Sequence, residues 1–288
     1  MQVVPHEPTA GQAEAQRPWA SVWLRSVRFD ALRESQCVEH VMRELQVGRG
    51  GWIITPNVDH LRRAGLDLEF RAMLAQADLT VADGMPLIWA SRLQGTPLPE
   101  RVAGSSLVST LAAAAAEHKR SVFLLGGSPG AAEAAASVLT ERYPGLIIAG
   151  VHCPPVGFDQ DEEQFEQVHQ ALSAARPDLI YVALGSPKQE HLIRRLRGEL
   201  NASWWIGVGI SLSFLCGQVR RAPRWMQMIG LEWLHRLLQE PRRLARRYLL
   251  EGIPFVARLL GRAALVRIGM GAGRPNLQDE HASDGERR

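Results

Sequence analysis

Asp83 ends the apolar, β-branched run "LTVAD" and is followed at once by Gly84. A carboxylate delivered to the tip of a buried strand, against low-dielectric walls, can serve as a general base. The same residue can be an N-cap for a helix starting near Met85, and the two roles are compatible. Eighteen residues further on stands Arg101, in "PERVAG". A planar guanidinium suits a clamp on phosphate oxygens, and a solvated surface arginine is the plainer alternative. Other apolar runs also end in polar or glycine-rich chemistry. "WIITPN" ends in Thr55, Pro56 and Asn57, and "SVFLLGGSPG" in Gly126, Gly127 and Gly130. "LIYVALGSPKQE" ends in Gly185, Ser186, Lys188 and Gln189, and "WWIGVGISLSF" in Gly207 and Gly209. Glycine lets backbone come close to a phosphate, and a helix N-terminus supplies free N–H groups and the positive end of a dipole. "GGSPG" lacks the G-x-G-x-x-G spacing. Where a dinucleotide fold would place an acidic ribose ligand, about twenty residues on, the chain has Pro144 and Gly145.

These residues need a scaffold that brings five distant segments to one edge. Short β-branched runs fall at 22–27, 52–55, 79–82, 121–125, 146–149, 179–183 and 204–207. Amphipathic stretches lie between them, at 37–47, 66–77, 106–116, 130–143, 163–175 and 188–197. The middle strands lack a clear period of two, as expected when helices cover both faces. Alternating β and α predicts an α/β fold, a Rossmann-like, mostly parallel sheet with helices on both faces. In such a sheet, ligands bind beyond the carboxyl ends of the strands. All the polar tips would then face one site.

The chain has 288 residues, 46% hydrophobic and 22% charged, enough for one large core. Domain boundaries are predicted as a disordered leader over 1–20, the Rossmann-like domain over 21–217, a basic helical appendage over 218–268 and a disordered tail over 269–288. No run of eighteen apolar residues exists, so no helical membrane span is expected. Cys37, Cys153 and Cys216 are scattered and odd in number, without zinc spacing or a disulfide framework. That favours a reducing, cytoplasmic setting. Asp159 and Asp161 form a D-x-D pattern, but they open a predicted helix, where acids oppose the dipole. They read as first-turn residues rather than as metal ligands. The histidines are scattered, and lone ones such as His60 read as structural or surface residues. There is no Walker lysine.

The blocks "TPNVDHL", "ADGMPLIWASRLQGTPLPERVAG", "FLLGGSPG", "LGSPKQE", "GVGISLSF" and "RRAPRWMQMIGLEWLHRLLQEPRR" follow one another in an order that resembles the WecG/TagA/CpsF glycosyltransferase family. The resemblance covers about residues 22 to 250. It implies transfer of a hexose-type sugar, often N-acetylmannosamine, from a UDP-sugar donor to a polyprenyl-diphosphate-linked glycan acceptor, with inversion and with no metal or other cofactor. It assigns the base role to Asp83 and places Thr55 and Asn57 around the reacting sugars. Arg101 and Gln189 would contact the donor or its leaving diphosphate. Gly126 and Gly127 would form part of the nucleotide cradle, and Gly207 and Gly209, at their own strand tip, are further substrate-binding candidates. Arg236, Arg243 and Arg246 of the C-terminal segment would fold over the site. Ser211-Leu212-Ser213 departs from the family pattern after "GVG", which leaves the donor sugar open between N-acetylmannosamine, glucose and other hexoses.

Charge is unevenly distributed. Residues 219 to 268 hold eleven arginines against Glu232, Glu240 and Glu251, a net +8, while the rest of the chain carries −5. Phe255, Leu259, Leu260, Ala263 and Val266 recur at helical spacing, flanked by Arg258, Arg262 and Arg267. A basic amphipathic helix of this kind fits an anionic membrane interface, and the alternative is a helix packed on its own domain. The charge has no nucleic-acid recognition motif beside it, so no nucleic-acid partner is expected. The expected location is the cytoplasmic face of the cell membrane, bound peripherally. Assembly as a homo-oligomer is compatible with the composition and not dictated by it. A nucleotide-sugar-binding protein with a degenerate catalytic site is the alternative function; the retained Asp83 weighs against it.

Overall fold

A sheet whose strands are apolar on both faces must be covered on both, and the computed structural model, which describes residues 18–269, is built that way. The leader and the tail expected from the sequence lie almost wholly outside the described residues. Six strands form a parallel sheet: β3 (Gly51–Ile54), β4 (Leu79–Thr80), β5 (Ser121–Gly126), β6 (Ile147–His152), β7 (Leu179–Ala183) and β8 (Trp204–Gly207). Their order is β4-β3-β8-β7-β5-β6, and every pairing is parallel. The expected α/β architecture is therefore present, and all six strands end at the same edge.

Successive side chains along a strand point to opposite faces, so each strand feeds two cores. Trp52, Ile54, Phe123, Leu125, Ile180, Val182 and Trp205 enter one core. Helices α2 (Val58–Ala64), α3 (Leu68–Ala75), α4 (Met85–Gln94), α7 (Glu162–Ala175) and α8 (Lys188–Leu196) cover it. Ile53, Val122, Leu124, Leu179, Tyr181, Trp204 and Ile206 enter the other. That face is covered by α1 (Glu34–Gln46), α5 (Gly104–Glu117), α6 (Ala131–Arg142) and the short α9 (Ser211–Leu215).

The first strand differs from its prediction. The 22–27 run is not one strand but an antiparallel hairpin, β1 (Ser21–Leu24) and β2 (Val27–Asp30), pairing Leu24 with Val27. The chain reverses at Arg25, which takes a left-handed φ of 56°. No glycine or asparagine advertises that turn, which is why the apolar run reads as continuous. Asp30, at the end of the hairpin, is buried and accepts a hydrogen bond from the Thr80 N–H, tying the hairpin to β4.

The C-terminal segment is helical, as expected: α10 (Arg224–Met228), α11 (Glu232–Gln239), α12 (Pro241–Ala245), a π-helical turn over Arg246–Gly252, and α13 (Ile253–Arg267). Pro241 and Pro254 sit in first turns, where a missing N–H costs nothing. One expectation is corrected here. The apolar stripe of α13 faces protein, not a membrane: Phe255, Leu259 and Ala263 are buried in the first core, with α13 packed along α4. Periodicity showed that a face of this helix is buried but could not show what buries it.

Candidate active site

The row of strand tips carries the polar residues in spatial order. Asp83 follows β4, and Thr55 and Asn57 follow β3. Gly209 follows β8, Gln189 opens α8 just beyond β7, and Gly127 follows β5. At about 4.8 Å per strand, the four steps from β4 to β5 span roughly 19 Å. That is an elongated site, with a carboxylate at one end and glycine turns at the other.

Asp83 does not cap α4. Gly84 occupies the N-cap position with φ 139°, and no side chain caps that helix. The capping role allowed by the sequence is therefore corrected, and the carboxylate is left for other partners. The Asp83 N–H is held by the Pro56 carbonyl at 3.0 Å, which fixes the tip of β4 against the turn after β3. Its side chain keeps 29% of its surface, recessed but not sealed. Burial pushes its carboxyl up from 3.8 to about 6; Arg101 opposes that rise and Glu232 adds to it, with smaller opposing contributions from Arg221 and His60.

Arg101 joins Asp83 from the loop before α5. Its Nη1 donates to Glu232 Oε2 at 2.8 Å and stands 3.9 Å from Asp83 Oδ1. Burial disfavours its charge, but the two carboxylates outweigh burial and hold the guanidinium above its ordinary value. Glu232 reaches in from the first turn of α11. It also faces Arg221, whose Nε lies 3.6 Å from Glu232 Oε1 and whose Nη2 donates to Ser106 Oγ at 3.3 Å. Gly230 takes φ 77° where the chain crosses α4; a Cβ there would stand 2.8 Å from Met85 Cβ. The C-terminal layer thus lies directly over the carboxylate.

The helix N-termini complete the edge. No side chain caps α5, and a Cβ on its first residue, Gly104, would stand 3.1 Å from Thr55 Oγ1 and 3.5 Å from the Gly207 carbonyl. The α6 N-terminus is likewise without a side-chain cap; its N-cap, Gly130, takes φ 75° after Gly126 and Gly127 at 87° and 99°. Both ends offer N–H groups suited to phosphate.

Asn57 caps α2 through its Oδ1, which accepts from the Asp59 and His60 N–H groups, so its amide NH2 is what remains for a ligand. Gln189 is buried; its Oε1 accepts from the Gly209 N–H at 3.2 Å and its Nε2 donates to Glu190 Oε1 at 3.0 Å. A Cβ on Gly207 would meet that Nε2 at 2.5 Å, so any larger residue there must displace the Gln189 amide. His60, read from sequence as a bland histidine, is part of this network. Its Nδ1 lies 2.9 Å from Asn57 Oδ1 and its Nε2 3.5 Å from Glu190 Oε1. Burial works against the Glu190 charge, but the hydrogen bonds of His60 and Gln189 outweigh it and hold that carboxyl below its usual range.

Of the arginines expected over the site, Arg236 lies 3.9 Å from Glu240 and 6.0 Å over the Phe214 ring. Arg243 pairs with Glu240 and Arg246 with Glu251, both largely exposed. The arginine that does meet the Asp83 cluster from this segment is Arg221. Arg247 reaches Asp59 at 2.9 Å. Ser211, Leu212 and Ser213 are all buried in the turn into α9. Asp161 caps α7, and Asp159 accepts from Lys188 Nζ at 3.1 Å, in line with their first-turn reading.

A parallel sheet that gathers a raised carboxylate, two arginines and two uncapped helix ends at its carboxyl edge has the form of an α/β enzyme with a site suited to an anionic ligand. Residues 22–268 match the glycosyl transferase WecG/TagA/CpsF family. The chain belongs to that family and is a glycosyltransferase. It is similar to the N-acetylglucosaminyldiphosphoundecaprenol N-acetyl-beta-D-mannosaminyltransferase of Bacillus spizizenii, with 32% identity over 202 residues, covering 70% of this chain and 76% of that one. The protein of the same name from Staphylococcus aureus strain MW2 is 31% identical over 237 residues, covering 82% of this chain and 90% of its own length.

Proposed function

We propose that this enzyme moves N-acetylmannosamine, or a closely related hexose, from a UDP-sugar to N-acetylglucosamine carried on a polyprenyl diphosphate, with inversion and without a metal. The names of its relatives support the donor sugar and the acceptor. The observation that carries the reading is Asp83, a carboxyl raised to about 6 beside Arg101 at the end of a row of anion-accepting backbone. In the proposed step the acceptor hydroxyl oxygen attacks the anomeric carbon, and the bond from that carbon to the UDP oxygen breaks. Asp83 takes the hydroxyl proton, and UDP leaves with the electron pair. Arg101, Arg221 and the α5 N-terminus meet the charge on the departing diphosphate. The nucleoside would extend toward Gly126 and Gly127. Retention would ask for a carboxylate nucleophile. Glu232, the other acid at hand, is held by Arg101 and Arg221.

Released UDP, measured over a panel of UDP-sugars with a lipid-diphosphate N-acetylglucosamine acceptor, tests this. Turnover with UDP-N-acetylmannosamine is expected, unchanged by a chelator. Turnover only with another donor class, or loss of activity on chelation with recovery on adding a divalent ion, would overturn the corresponding part.

The same reading makes the enzyme a peripheral protein of the cytoplasmic membrane face, since its acceptor is a lipid. Among the described residues no helix is long and apolar enough to cross a membrane. The C-terminal layer exposes Trp225, Met228, Ile229, Leu250 and Ile268 among its arginines, and these replace the buried stripe of α13 as the contact surface. Full-length protein is expected to sediment with phosphatidylglycerol vesicles. Trp225→Ser combined with Met228→Ser should weaken that binding about tenfold or more, since each side chain contributes about 1.5–3 kcal/mol on burial. Unchanged binding would refute this surface.

A further inference from the structure

We propose that Glu232 is a positioning residue for the transfer step: by engaging Arg101 at 2.8 Å it keeps that guanidinium from closing on Asp83, 3.9 Å away, and so keeps Asp83 a competent base. The inference rests on the proposed role of Asp83 as the base.

Arg101 Nη1 has two carboxylates within reach, and the shorter contact is to Glu232. A tight bidentate pair with Asp83 would stabilise the ionised carboxylate and weaken it as a proton acceptor. Glu232 takes up that capacity and adds a negative charge near Asp83. Arg221 acts in the opposite sense, as a second cation facing the same pair. The charged and titratable groups around Asp83 are Arg101 from the loop before α5, Glu232 from α11, Arg221 from the segment before α10 and His60 from α2; Glu34 of α1 faces Arg101 from behind. Two of the four come from the C-terminal layer. That layer therefore sets the proton affinity of a carboxylate carried by the sheet, through side chains that need not touch either sugar.

The test is the pH dependence of kcat/KM in the full-length enzyme and two variants, with folding checked by thermal melting. Glu232→Gln removes a negative charge and frees Arg101 for Asp83. The acid limb is expected to move to a pH lower by about 1 or more, with the plateau rate falling as the base weakens. Arg221→Gln removes a cation and is expected to move the limb upward. If Glu232→Gln does not fold, Glu232→Asp carries the test: its shorter carboxylate holds Arg101 less closely, and the limb is expected to move down by a smaller amount. A merely structural Glu232 would lower kcat or raise KM with the limb unmoved in both variants, which overturns the proposal. Asp83→Asn separates the two readings. If that variant keeps turnover, the base assignment fails. If it is inactive while the limbs of the Glu232 and Arg221 variants stay fixed, only the positioning role fails.

Discussion

Asp83→Asn is expected to abolish turnover, by roughly a thousandfold or more, while leaving donor affinity within a few-fold and making the protein harder to unfold. A positioned general base contributes on the order of 10²–10⁴ in rate, and asparagine keeps the shape of the side chain but accepts no proton. The stability arm follows from the raised carboxyl, which binds its proton near pH 6 when folded and near 3.8 when unfolded. Between those values the folded state holds more protons, so the wild type loses stability as pH rises from about 4 to about 6. The loss amounts to roughly 2–3 kcal/mol and persists above that window. Asparagine removes it. The variant should therefore melt higher than wild type at pH 7 to 8, and the gap should close below about pH 4. Melting curves across pH, beside single-turnover rates, read both. Retained turnover would show that Asp83 is not the base, and a variant that melts lower at neutral pH would show that its carboxylate is not held at a cost.

Arg101→Ala should cost about 10²–10³ in kcat/KM, the range for removing one preorganised group that stabilises developing charge. Its signature differs from that of Asp83→Asn in two ways. Donor KM rises, because the arginine is proposed to address the diphosphate in the ground state as well. The acid limb moves to higher pH, because Asp83 and Glu232 lose the cation they share and Arg221 is left to offset them. Arg101→Lys should recover little. Both carboxylates are met by Nη1 alone, which leaves the rest of the planar fork for the proposed diphosphate, a contact that an ammonium cannot reproduce. An unmoved donor KM would place Arg101 away from the diphosphate.

How much of this could be read from the chain depended on distance in sequence. The strand tips were legible, since each apolar run ends in a short polar or glycine signal and a parallel sheet must align those ends. Asp83 and Arg101 are each legible as candidates in one block, but their approach to 3.9 Å is not. Glu232 and Arg221 were not, because they lie more than a hundred residues away in a segment whose summed charge hides its single useful acid. His60 was passed over for the same reason: its partner Glu190 belongs to another helix, and a lone histidine carries no spacing signal. The hairpin at Arg25 was missed because its turn uses neither glycine nor asparagine. The stripe of α13 was seen correctly as a buried face and given the wrong neighbour.

That neighbour has a bearing on how the enzyme is made. Phe255, Leu259 and Ala263 belong to the same core as Trp52 and Ile54, yet about two hundred residues of chain separate them. A nascent chain can pair its strands before α13 is made, but α4 then stays bare on the side that α13 will cover. A prematurely terminated product would present an uncovered apolar helix, the kind of surface that chaperones and proteases recognise.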